Sequence, residues 1–171
     1  MTDFTILVLP GAFSASVAAT LDILRAAAAM APRLGQPTPA WRVLSVRAGP
    51  IPLGSGMLVQ AAALPRRARA DRSTWIVPGL GLDTPQAIAA AMASSDVRSA
   101  AKALAAHAAR GGRIAAACSA VFLLQAAGLL AGRTVTTSWW LAAQLRRMEP
   151  GCTVDADRMV CVDGALATAG A

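Results

Sequence analysis

The sequence predicts an α/β domain: a largely parallel β-sheet covered by helices on both faces, a three-layer sandwich. Three observations carry this. Phe4-Thr-Ile-Leu-Val-Leu9, Thr74-Trp-Ile-Val77 and the stretch opening at Ile114 are continuous apolar runs, the mark of strands buried on both sides. Segments with helical apolar spacing alternate with them. Turn chemistry punctuates the joints, at Pro10-Gly11, Gly49-Pro50, Pro78-Gly79 and Gly111-Gly112.

Taken in order, the first strand runs from Phe4 to Leu9. Ser14 or Ser16 is expected to cap the following helix, which carries Val17, Leu21, Leu24 and Ala28 on one side and closes at Pro32 and Gly35. Trp41–Val46 reads as the next strand, and Gly49-Pro50 with Gly54-Ser-Gly56 brackets a hairpin whose second arm starts at Met57. Residues 61–72 form a polar connection containing Arg66, Arg67, Arg69 and Arg72. Helices are predicted near 84–93 and 96–109, with Asp83 and Asp96 placed to cap them. The only histidine, His107, lies in the second, and reads as a surface or satisfied structural residue. Thr134–Thr136 is a short strand, Ser138 begins a helix through Leu145, and Asp163-Gly164 turns a terminal hairpin.

Composition narrows the function. At 171 residues, 56% hydrophobic and 15% charged, the chain is long and apolar enough for one well-cored domain. The net charge of +7 suits an anionic partner, yet the arginines are scattered and no nucleic-acid-reading motif accompanies them. Three cysteines, at 118, 152 and 161, and one histidine lack metal-ligand spacing, and no cofactor fingerprint is present; Pro78-Gly-Leu-Gly81 is not GxGxxG. Cysteine usage fits a reducing cytoplasm. No signal peptide is expected at the N-terminus, and the Ala-rich stretch 15–31, broken by Asp22 and Arg25, is expected not to span a membrane.

The chemistry concentrates at Arg113-Ile-Ala-Ala-Ala-Cys118-Ser-Ala-Val-Phe-Leu-Leu-Gln-Ala-Ala-Gly128, where a strand pattern passes into a helical one at Cys118. A side chain on such a turn is held out of the sheet, and the crowding demands small neighbours, which Ala116, Ala117, Ser119 and Ala120 provide. The free N–H groups of the helix start favour negative charge on the sulfur. The alternative is a buried cysteine packing as a small hydrophobe at an ordinary strand end. Ligands of parallel sheets sit at the C-terminal strand ends, where Pro10-Gly11, Pro78–Gly81 and Cys118 should meet.

Leu7-Val-Leu-Pro-Gly11, Val77-Pro-Gly-Leu-Gly81, Cys118–Arg133 running into Thr136-Thr-Ser-Trp139, Asp155–Gly164 and Thr168-Ala-Gly170 together resemble the DJ-1/PfpI superfamily. The resemblance is nearer still to the amidotransferase-like N-terminal domain of AraC-family transcription regulators. It implies a class I glutamine amidotransferase-like fold over residues 1–171. It also implies one further helix after Gly170 and, later in a longer chain, a helix-turn-helix DNA-binding domain.

The resemblance places a nucleophile at Cys118. The superfamily's enzymes have histidine where this chain has Ser138, 20 residues beyond the cysteine, and many have a carboxylate where it has Ser16. The position two after the cysteine, commonly glycine, is Ala120. A cysteine nucleophile needs a depressed pKa or an adjacent base; the helix start can favour the first, but serine is not a base near pH 7. The candidate ligand-binding residues are therefore Gly11, Ser16, Gly79, Leu80, Gly81, Cys118, Ser119 and Ser138, with N–H groups after Cys118 and in the 79–81 loop able to form an oxyanion pocket. The leading expectation is a homodimeric regulatory domain that senses a small-molecule effector and reaches DNA only through a domain outside this chain. The alternatives are a Cys118-dependent hydrolase, hydratase or glyoxalase-like enzyme, or a redox sensor passing through a sulfenate. One at least of Trp139 and Trp140 is expected in the core.

Overall fold

A computed structural model of the chain describes residues 3–65 and 71–170. Arg66, Arg67 and Arg69 of the Arg-rich connection lie outside them. The main sheet has eight strands: β1 (Phe4–Leu7), β2 (Trp41–Ser45), β3 (Gly49–Pro52), β4 (Leu58–Ala63), β5 (Thr74–Val77), β6 (Ile114–Ala117), β9 (Val160–Asp163) and β10 (Leu166–Ala169). Their order is β3-β4-β2-β1-β5-β6-β10-β9. The six inner strands run parallel, and the edges β3 and β9 are antiparallel arms of hairpins. Between β6 and β9, β7 (Thr134–Val135) and β8 (Thr153–Val154) form a separate parallel pair.

Successive residues of a strand face opposite ways, and β1 shows why its run is apolar throughout. Ile6 and Val8 pack with Val17 and Leu24 of helix α1 (Ser14–Met30) and with Ile51 and Leu53. Leu7 and Leu9 join the larger core on the other face. That face is covered by α2 (Pro85–Met92), α3 (Ser95–Ala108), α4 (Val121–Ala126) and α5 (Ala142–Met148). On α3 the buried residues are Val97, Ala100, Ala101, Leu104 and His107, a stripe at helical spacing. Burying a side chain such as Leu104 or Phe122, both fully covered, contributes about 1.5–3 kcal/mol.

Several local expectations change. The hydroxyls of Ser14 and Ser16 do not cap α1. They reach away from it: Ser14 Oγ accepts from the Ser55 amide at 3.1 Å, and Ser16 Oγ accepts from the Gly79 amide at 3.1 Å. The caps of α2 and α3 are Thr84 and Ser94, whose hydroxyls accept from Ala87 and Val97, rather than Asp83 and Asp96. A hydroxyl three residues before the recipient amide has the reach for this bond. With α1 and the 3-10 turn after it, Ser14–Leu34 spans 21 residues at mean hydropathy 1.2, so by length and composition alone it could cross a membrane. In the fold it is a sheet-packing helix whose inner face is Val17, Leu21 and Leu24.

Both tryptophans expected to supply a core residue are on the surface. Trp139 is 69% and Trp140 44% exposed, and they pack edge to face with ring centroids 5.6 Å apart. The 3-10 turn Trp139–Leu141 directs Leu141 inward in their place.

Candidate functional site

β6 delivers the chain to Cys118 in extended conformation, and Cys118 then adopts φ 55°. Among the described residues it is the one non-glycine with positive φ. A left-handed conformation costs an L-residue roughly 1–2 kcal/mol, so the turn is a strained one. The chain continues as a 3-10 turn, Cys118–Ala120, before α4 begins. Its neighbours must be small: Ser119 and Ala120 are completely buried, and a Cβ on Gly79 would stand 3.4 Å from the Cys118 Cβ. The strand-to-helix elbow read from the sequence is therefore present.

Cys118 is partly exposed, and two residues beyond β7 hold it. Thr137 Oγ1 donates to the Cys118 carbonyl at 2.8 Å, and Ser138 Oγ donates to Sγ at 2.8 Å. Ser138 is completely buried. On the other side, the loop after β5 is tied down by serines. The Gly79 amide donates to Ser16 Oγ at 3.1 Å, and the Leu80 and Leu82 amides donate to Ser119 Oγ at 3.1 and 3.4 Å. The loop after β1 closes against it: Phe13 N–H donates to the Gly79 carbonyl at 2.8 Å. Gly81, at φ 70°, lies where a Cβ would meet the Gly11 carbonyl oxygen at 2.7 Å. The structure thus gathers Ser16, Gly79, Leu80, Cys118, Ser119 and Ser138 in one hydrogen-bonded cluster, with Gly11 and Gly81 packed together at its rim.

Part of the expected oxyanion pocket is already engaged. Three N–H groups of the loop, those of Gly79, Leu80 and Leu82, are already spent on serine hydroxyls. An oxyanion bonded by the Gly79 or Leu80 amide would have to displace those bonds.

Nor does the histidine serve Cys118. His107 is buried, stacks on Trp75 with ring centroids 4.8 Å apart, and donates from Nε2 to the Arg113 carbonyl at 3.3 Å. Arg113 precedes β6 and Cys118 follows it, five strand residues on, so the two lie roughly 16 Å apart along the strand. Burial holds the imidazole below its ordinary pKa, against the opposing pull of the Arg113 carbonyl and Asp71. Close by, at this opposite end of the sheet, sequence reading missed a polar network. Asp71 accepts from the Trp75 indole at 2.8 Å, the Ser73 amide at 2.9 Å and the Ser73 hydroxyl at 2.7 Å, and it pairs with Arg42. Burial alone would raise its carboxyl, but those donors outweigh burial and hold it below the usual value. Asp71 closes the Arg-rich connection, and its composition concealed this role.

The other two thiols are raised: Cys152 by burial and by Glu149, Cys161 by burial and by Asp155. Among the described residues no group of three or more His, Cys, Asp or Glu side chains converges as a metal site would require.

Residues 42–171 match the model of the DJ-1/PfpI family. The chain belongs to the DJ-1/PfpI family. Its sheet, flanking helices and elbow are those of the class I glutamine amidotransferase-like fold. A Streptomyces lividans relative, described as an uncharacterized protein in the cpoL 5' region, is 36% identical over 108 residues, which are 63% of this chain and 70% of that protein. Among solved structures, an AraC family transcriptional regulator from Pseudomonas putida superposes with a TM-score of 0.75 at 20% identity, covering 99% of this chain and 83% of that one. Drosophila melanogaster DJ-1beta superposes with a TM-score of 0.71 at 21% identity, covering 100% of this chain and 83% of that one. At such identities the likeness speaks for the DJ-1/PfpI fold alone.

Proposed function

We propose that this DJ-1/PfpI domain is the ligand-sensing and dimerisation domain of an AraC-type transcription regulator, in which Cys118 marks an effector pocket rather than a working nucleophile. The observation that carries the reading is the Ser138 hydroxyl on Cys118 Sγ at 2.8 Å. A hydroxyl there can position the sulfur but cannot take its proton near neutral pH, and an adjacent base is one of the two usual ways a thiol nucleophile is activated. The serine-occupied amides of the 79–82 loop favour the same reading. The likeness to the Pseudomonas putida regulator supplies the AraC part of it.

In this reading DNA contact belongs to a helix-turn-helix domain outside these residues, and residues 1–171 alone bind no operator specifically. The size of the native gene product in its source organism tests this. A band well above 17.4 kDa, belonging to a protein that binds operator DNA, is expected. A native product of 17.4 kDa, or tight operator binding by these residues alone at moderate salt, overturns the reading.

The strained φ of 55° at Cys118 favours a second reading, a Cys118-dependent hydrolase or hydratase, because strained backbone is characteristic of catalytic elbows. Turnover of a carbonyl or nitrile substrate that disappears in a folded Cys118→Ala variant would establish it.

A further inference from the structure

Among the described residues one buried hydroxyl has no hydrogen-bond partner. Ser45, the last residue of β2, is 1% exposed, and its Oγ has no hydrogen-bond partner among the described residues. Buried polar groups are almost always paired, with protein, ordered water or a ligand, so this hydroxyl is free to bond a group from outside the chain. Ser45 lines a cavity of about 220 Å³ together with Pro10, Arg47, Ile51 and Asp96. A second cavity of about 440 Å³ shares Pro10, Arg47 and Asp96 with it and is walled by Leu9, Leu80, Leu82 and Val97. Neither is lined by Cys118, Ser16 or Ser138.

The two charged residues common to both cavities touch only lightly. Arg47 and Asp96 meet at 3.4 Å, with side chains 76% and 28% exposed. A guanidinium has five donors and a carboxylate about four acceptor sites, so one long contact leaves both largely unused. Asp96 stands in the first turn of α3 and already answers the positive end of that helix.

The charge is therefore matched in opposite signs over apolar walls, and this selects the ligand. A net anion would bond Arg47 but be repelled by the Asp96 carboxylate beside it. A net cation would do the reverse. A purely apolar molecule would leave Ser45 orphaned.

We propose that these contiguous cavities bind a small zwitterion of the amino-acid class bearing an apolar side chain. Its carboxylate pairs with Arg47, its ammonium with Asp96, and one of its polar groups bonds Ser45 Oγ. Its side chain rests on Leu9, Leu80, Leu82 and Val97. The site does not rest on the regulator reading. It does adjoin the elbow, because the amide of Leu80 is held by Ser119, the residue after Cys118.

The test is calorimetric titration of residues 1–171 with L-leucine, isovalerate and isoamylamine, with amide NMR shifts mapping the contact. L-leucine should bind about tenfold or more tightly than either half-molecule. Its shifts should fall on residues around Ser45, Arg47, Leu80 and Asp96. Arg47→Gln and Asp96→Asn should each weaken it by about tenfold. Ser45→Ala separates binding from folding: it removes an orphan, so it should leave the ligand-free melting temperature unchanged or raised while weakening L-leucine binding.

Three results overturn the proposal. One is no L-leucine binding at about 10 mM, well above a millimolar Kd. Another is binding of either half-molecule as tight as that of L-leucine. The third is a set of shifts centred on Cys118.

Discussion

Cys118→Gly should be more stable than Cys118→Ala, although glycine is ordinarily the weaker choice. Both variants lose the thiol and its 2.8 Å hydrogen bond from Ser138, so those losses cancel in the comparison. What differs is the backbone at φ 55°. Alanine there bears the left-handed cost of roughly 1–2 kcal/mol, which glycine escapes. Glycine gives back roughly 0.5–1 kcal/mol through its greater freedom in the unfolded chain. The balance favours glycine by about 0.5–1 kcal/mol, or about 1–4 °C in Tm for a domain of this length. Thermal and urea unfolding of the two variants measures it, provided their m-values agree. Should Cys118→Ala match or exceed Cys118→Gly, the turn is not strained, and the inference that this chain retains a costly catalytic-type elbow fails.

His107 and Asp71 both have lowered pKa values in the fold. The native state therefore binds fewer protons than the unfolded one. The His107 contribution is complete above its ordinary value of 6.5 and is lost as pH falls below it; that of Asp71 follows below 3.8. Urea midpoints should thus fall as pH is lowered below neutrality, and His107→Gln should flatten the part of the slope just below 6.5. Gly112→Ala places a Cβ inside the His107 imidazole; it should cost about 1–3 kcal/mol as an overpacking change and alter Trp75 fluorescence. At Gly111, where an added Cβ meets nothing within 4 Å but φ is 77°, alanine should cost roughly 1–2 kcal/mol through the backbone while leaving that fluorescence unchanged. Ser119→Ala strips the acceptor from the Leu80 and Leu82 amides and should cost about 1–3 kcal/mol, read by denaturant unfolding with the fold intact by circular dichroism.

Sequence alone determined those features of this protein that rest on local chemistry. Continuous apolar runs such as Phe4–Leu9 require burial on both faces, which makes a parallel sheet under two helical layers the available solution. Small residues on either side of Cys118 mark a turn where nothing larger fits, and Pro-Gly and Gly-Gly steps end elements wherever they stand. The family was legible for the same reason, because its motifs are runs of neighbouring residues.

Tertiary structure decided what depends on partners distant in the chain. Ser14 and Ser16 had the right residue type for caps, yet their hydroxyls serve Ser55 and Gly79, 41 and 63 residues away. Trp139 and Trp140 looked like core by hydrophobicity, but a 3-10 turn puts both at the surface and turns Leu141 inward. Arg47 and Asp96 are 49 residues apart, and nothing local joins them. Only the folded sheet, which sets the loop after β2 beside the start of α3, brings them to one cavity, next to a serine whose lack of a partner shows only among the neighbours the fold gives it.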